Sequence, residues 1–252
     1  MTAEQTMNPI LRRTSPRALA RIGGLLYLLI ILGGLFAPFA IAPSGMMLGN
    51  AALPTVTKIL SSQSLYVLGG AIQLFVYACD IGVALVFYEL LKPVNRRIAL
   101  LATFFRLVFV AIACANIVNH FAPLVFLCGP DSLTSFTTDQ LQALAIAFIR
   151  LRTFGFDIAL LFFGFHCILV GYLIFRSTFL PRVLGAALAI GGAGYVANIF
   201  ATAIPLTSRV HLFPYVMLPA GLAEILLTLW LLIVGVNLPR WKDQAETAVL
   251  PC

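Results

Sequence analysis

Charge is what this chain has least of. Only 10% of its 252 residues are Asp, Glu, Lys or Arg, and 61% are hydrophobic. An ordinary soluble domain is about 25% charged and about 45–50% apolar. A soluble fold of this length cannot hide so much apolar side chain and still present a polar exterior. A soluble globular enzyme is therefore excluded, and so are disordered and fibrous chains. Histidine is scarce, with three in the whole chain. His211 falls in a loop and His120 lies several helical turns from His166, so the three close ligands of an intramembrane zinc hydrolase are not available. The five cysteines (Cys79, Cys114, Cys128, Cys167 and Cys252) form no CxxC and are odd in number, which supports neither a disulfide framework nor a metal knuckle. No lysine lies inside an apolar span to activate a serine or threonine. Gly-rich phosphate loops are missing too. The pairs Gly23-Gly24, Gly33-Gly34, Gly69-Gly70 and Gly191-Gly192 read as close helix packing. No metal and no cofactor is expected.

What the chain does have is apolar length. Six segments reach the roughly 20 residues a bilayer crossing needs: about 20–41, 66–91, 98–122, 154–175, 183–204 and 215–236. The expected fold is all-α, a polytopic membrane protein with six transmembrane helices in one bundle and a single domain over residues 1–252. The first segment has the basic lead of a signal peptide, and Ala40-Ile41-Ala42 resembles a cleavage site. Its apolar run is too long for one and Pro43 follows, so a retained helix is expected. Between the third and fourth spans, Thr137-Thr138-Asp139-Gln140 reads as a capping box with Thr137 as N-cap. An interfacial helix over 138–152 follows from it.

The net charge of +7, from 16 Lys and Arg against 9 Asp and Glu, reads as membrane orientation. Most basic residues fall on one side, in the N-terminal lead (Arg12, Arg13, Arg17, Arg21), around Lys92 and Arg96, at Arg176 and Arg182, and at Arg240 and Lys242. Lys58, Arg150, Arg152 and Arg209 fall on the other. The bias puts both termini in the cytoplasm and the protein in the cell (inner) membrane. No nucleic-acid motif accompanies the charge. The partner it implies is the lipid bilayer, and the oligomeric state stays open.

Ionisable side chains inside a span each cost about 2.5–3.5 kcal/mol to insert. Four stand out: Asp80, Arg106, His166 and Glu224. Counting from the inner helix ends at about 1.5 Å per residue puts all four within roughly 6 Å in depth, near the midplane. Gln73, Tyr77 and Asp80 share one narrow helical stripe, and Glu224 aligns with Met217 and Thr228. A shallower layer holds Asp157 with Arg150, then Asn116, Asn119 and His120, and Asn198 with Tyr195 just below it. Asp157 and His166 are nine residues apart, hence on opposite faces of one helix. Asp157 is also too shallow to join Asp80 in an aspartyl-protease pair.

A weak internal echo runs through the chain. Pro16-Arg17-x-Leu19, Ile22-Gly23-Gly24 and Tyr27 match Pro181-Arg182-x-Leu184, Ile190-Gly191-Gly192 and Tyr195, with three extra residues in the second copy. Such a repeat suits a transporter, and small-residue packing faces also recur in any membrane bundle.

The stretch from Asp157 through Phe162-Phe163-Gly164-Phe165-His166 and Gly171-Tyr172 to Phe179-Leu180-Pro181-Arg182 is similar to a bacterial membrane family catalogued as domain of unknown function 4386. Arg21-Ile22-Gly23-Gly24, Cys79-Asp80, Phe105-Arg106-Leu107 and Pro219-Ala220-Gly221 with Glu224 fit it too. The resemblance implies six helices and carries over no activity. Asp80, Arg106, Asp157, His166 and Glu224 match its pattern.

One functional expectation is a non-enzymatic protein whose midplane residues bind or pass a small polar or ionic solute. Asp80, Glu224 and His166 would handle proton or cation charge, and Arg106 would hold Asp80 or an anionic ligand. An intramembrane enzyme on a lipid-derived substrate, with His166 and a carboxylate as acid and base or with His166, Asp80 and Glu224 around a metal, is the alternative. A non-catalytic membrane scaffold is another, in which Asp80–Arg106 is a buried pair that fixes helix register.

Overall fold

The computed structural model describes residues 15–41, 52–129, 135–203 and 217–248. Arg12, Arg13, Ala42, Arg209, His211 and Cys252 lie outside them. Eight helices and no strand occur among the described residues: α1 (Pro16–Ile41), α2 (Ala52–Ser61), α3 (Gln63–Leu91), α4 (Arg96–Cys128), α5 (Thr138–Arg176), α6 (Arg182–Ala203), α7 (Met217–Ile233) and α8 (Leu238–Thr247). Five are long and apolar enough to cross a membrane, and α7 with α8 forms a sixth candidate bent by 102°. The exposure pattern is inverted relative to a soluble protein. Val183 is 78% exposed while Arg106 is 0% exposed, as expected where lipid is the outer solvent. The protein is an all-α, multi-pass membrane protein.

Two helices fall outside the six expected spans, and for clear reasons. α2 is a ten-residue helix with Pro54 and Lys58 in its sequence, too short to span. α8 is polar and has no buried residue. It starts at a corner built by Gly235, whose φ of 73° only glycine adopts without strain. The Gly235 N–H bonds back to the Trp230 carbonyl at 2.8 Å, closing α7. Asn237 then caps α8 by accepting from the Arg240 N–H at 3.3 Å, with Pro239 in the first turn. Residues 138–152 and the fourth expected span run together as the 39-residue α5, about 58 Å long at 1.5 Å per residue. Its start is the reciprocal box of Thr137 N–H to Gln140 Oε1 at 2.9 Å and Gln140 N–H to Thr137 Oγ1 at 3.3 Å.

The described helices divide between two compact units. One comprises residues up to Leu28, Asp80–Phe109 and Leu160 onward, and the other comprises Leu29–Cys79 with Val110–Ala159. In the first, α5 and α6 meet backbone to backbone. A Cβ on Gly171 would sit 2.6 Å from the Gly185 carbonyl oxygen, and one on Gly164 would sit 2.8 Å from that of Gly192. The two contacts are seven residues apart on each helix, so they repeat on one face. Any side chain there would push the helices apart. Against α7, Gly191 of α6 packs on Ala220 and Gly24 of α1 on Leu232.

Candidate functional site

In the first unit, Arg106 of α4 is wholly buried and points at Asp80 of α3. Its Nε donates to Asp80 Oδ1 at 3.0 Å, and its Nη2 donates to the same oxygen. Its Nη1 lies 3.0 Å from His166 Nε2 on α5, and His166 Nδ1 lies 2.8 Å from the Ala102 carbonyl oxygen. These contacts fix the tautomer. A guanidinium only donates, so Nε2 must accept, and a carbonyl only accepts, so Nδ1 must carry the hydrogen. The imidazole is neutral, and both of its nitrogens are in use.

Aromatic rings close the box. The Arg106 guanidinium lies 5.1 Å from the Tyr27 ring centroid and 5.4 Å from that of Phe163, within the range of cation–π attraction. Phe87 and Phe163 flank the imidazole at 6.3 and 5.8 Å. The pocket that His166 borders, among Phe87, Ala102, Val170 and Leu173, is too small for a water molecule. Asp80 and Arg106 are themselves buried, so solvent is kept from the ion pair, which makes either partner costly to leave alone.

Glu224 of α7 is different. It is half-buried, and two hydroxyls reach it: Tyr195 donates to Oε1 at 2.8 Å and Tyr27 donates to Oε2 at 3.1 Å. Among the described residues no cation pairs with it. Asp80, Arg106, His166 and Glu224 therefore form a connected series in which the Tyr27 ring covers Arg106 and its hydroxyl bonds Glu224. Thr228 Oγ1 donates to the Glu224 carbonyl at 2.8 Å, which holds the backbone and not the carboxylate. Tyr27 is absent from the expected site residues, because a tyrosine does not stand out in an apolar run. The one signal for it is the echo, since both copies of Ile-Gly-Gly-x-x-Tyr end on a tyrosine that bonds Glu224.

The second unit holds most of the remaining polar residues. Tyr66 of α3 and His120 of α4 interlock: the Tyr66 hydroxyl donates to the His120 carbonyl at 2.6 Å, and His120 Nε2 lies 3.1 Å from the Tyr66 carbonyl oxygen. Their rings stack at 4.2 Å. Pro123, three residues on, has no N–H to give the helix. Asn119 donates to Asn116 at 2.8 Å, and Asn116 donates to the Arg152 carbonyl at 2.7 Å. The Arg152 guanidinium donates to Gln73 Oε1 at 2.7 Å. Gln73 and Asp80 share a stripe on α3 yet serve different clusters. Arg152 is expected on the outer side, at the end of the interfacial helix, and it lies within the continuous α5. Asp157 is half-buried and Arg150 exposed, and no ion pair joins them among the described residues. Tyr77 is buried in this unit, and Asn198 is buried in the first. Among the described residues no three His, Cys, Asp or Glu side chains converge as metal ligands, so His166, Asp80 and Glu224 do not form such a set.

The family model described as Domain of unknown function (DUF4386) matches residues 22–235. A relative from Archaeoglobus fulgidus, described as an uncharacterized protein, is 26% identical over 156 residues, covering 62% of this chain and 76% of that one. No solved structure matches.

Proposed function

The chain belongs to the DUF4386 family, and from that premise we propose that this multi-pass protein is non-enzymatic and binds a small polar or ionic solute at Glu224. It sits in the cell (inner) membrane with both termini cytoplasmic, an orientation supported by the crowding of Lys and Arg on one side. The solute is a cation or a proton. Asp80 and Arg106 neutralise one another and leave the Glu224 carboxylate as the unmatched charge of the cluster.

The observation that carries the reading is the pair of tyrosine hydroxyls on a half-buried carboxylate that forms no ion pair among the described residues. Hydroxyls suit a switching site because they rotate between donating and accepting. With Glu224 ionised, both donate to it. When Glu224 takes up a proton, one tyrosine turns to accept it. When a cation arrives, the hydroxyl oxygens join the carboxylate as ligands. His166 has no acid–base part in this reading, since both ring nitrogens are engaged.

The test is thermal melting of the purified full chain in detergent, with sodium, potassium, guanidinium and tetramethylammonium chlorides, across pH 5 to 8. The wild type shifts with one cation or with pH, and Glu224→Gln does not. An equal response in Glu224→Gln sinks the reading. The scaffold alternative is favoured by one observation, the lack of room for water beside His166, and it predicts no response in either protein.

A further inference from the structure

At the end of the first unit where Arg176 and Arg182 lie, the turn between α5 and α6 faces α8 across an open cleft of about 690 Å³. That volume falls within the roughly 300–1,000 Å³ typical of small-molecule sites. Its frame is braced. Gln244 Oε1 accepts from both the Thr178 N–H and the Thr178 hydroxyl at 3.0 Å, and Arg240 Nη1 donates to the Thr178 carbonyl at 3.4 Å. Two arginines, Arg182 and Arg240, line it against one acid, Asp243. No ion pair engages either arginine among the described residues, and no hydrogen bond holds the Arg182 side chain there.

We infer that this cleft binds an anionic phosphoester, with Arg182 and Arg240 as its charged ligands. A guanidinium matches two phosphate oxygens at once, and the excess of positive over negative side chains suits a monoanion. The surroundings favour a phosphoester carried on a lipid. Val183 follows Arg182 directly and is 78% exposed, and Ile190, seven residues on and so on the same face, is 67% exposed. An acyl chain leaving the cleft runs along that apolar stripe of α6 while its headgroup stays with the arginines.

Native mass spectrometry of the detergent-solubilised full chain tests this with phosphatidylglycerol, phosphatidylcholine and free glycerol 3-phosphate as probes. The wild type retains phosphatidylglycerol over phosphatidylcholine. Arg182→Gln weakens that retention by about fivefold, the effect of one basic residue at an anionic surface, while Arg182→Lys restores it only in part, because an ammonium keeps the charge but not the two-oxygen match. Because the Arg182 side chain makes no hydrogen bond or ion pair among the described residues, this variant leaves the bonds that dock α8 in place. Loss of glycerol 3-phosphate binding in Arg182→Gln, with no lipid preference, supports a soluble phosphoester as the source, and loss of lipid retention alone supports a phospholipid. Retention of both probes by Arg182→Gln at wild-type strength overturns the inference.

Discussion

Two arginines inside the apolar helices have opposite company. Arg106 has a carboxylate, a neutral imidazole and two aromatic faces around it and no exposure at all. Arg152 is half-buried, and among the described residues its guanidinium donates to the side-chain oxygen of a neutral glutamine and forms no ion pair. A charge sealed with its opposite is a fixed part of the packing, because neither partner can leave without exposing the other to a medium that does not solvate it. A charge met by a neutral amide keeps its net value and depends on partial hydration. The same division separates the carboxylates: among the described residues Asp80 is paired with a cation, and Glu224 is hydrogen-bonded by hydroxyls with no ion pair.

The largest expected effect breaks the sealed pair. Arg106→Leu should destabilise the protein by about 3–5 kcal/mol, since it strands Asp80. The double variant Asp80→Leu/Arg106→Leu should regain most of that in reversible unfolding in micelles. A single variant as stable as the wild type would erase the distinction between the two arginines. Next comes His166→Phe, which keeps the aromatic box and removes the acceptor of Arg106 Nη1. A loss of about 1–3 kcal/mol follows from the orphaned donor. In the other cluster, Tyr66→Phe removes one hydroxyl bond to the His120 carbonyl. It should cost only about 0.6 kcal/mol, the average for helix-to-helix hydrogen bonds in a bilayer. The smallest effect belongs to Arg152→Gln, no more than about 0.6 kcal/mol, because it removes one helix-to-helix hydrogen bond and breaks no ion pair among the described residues. A cost near that of Arg106→Leu would show a hidden counter-charge.

Hydropathy made the helices legible, since an uninterrupted apolar run of about 20 residues matches the thickness of a bilayer and is rarely used by a soluble fold. It was silent on α2 and α8, whose short and polar sequences carry no such run. Depth counting brought Asp80, Arg106, His166 and Glu224 to one level, and the structure joins the first three directly. It could not foresee that Glu224 connects through a ring and hydroxyl of Tyr27, because a residue that is apolar along its body and polar at its tip fits a lipid-embedded helix without comment. Helical stripes misled in one respect. Gln73 and Asp80 share a face of α3, but a helix of 29 residues passes more than one set of neighbours along its length.

The docking of α8 has a consequence for the order in which the protein is made. Trp241 Nε1 donates to the Leu90 carbonyl at 3.0 Å, in the last turn of α3, and Gln244 ties the Thr178 turn. Both receiving segments leave the ribosome well before α8 does. A growing chain therefore carries an untied α3 end and an open α5–α6 turn until its last described helix emerges, when bonds through Trp241, Arg240 and Gln244 fasten both. Late synthesis is thus coupled to early structure, and a ribosome stalled before Trp241 would hold a chain with its helices inserted and that end still unlatched.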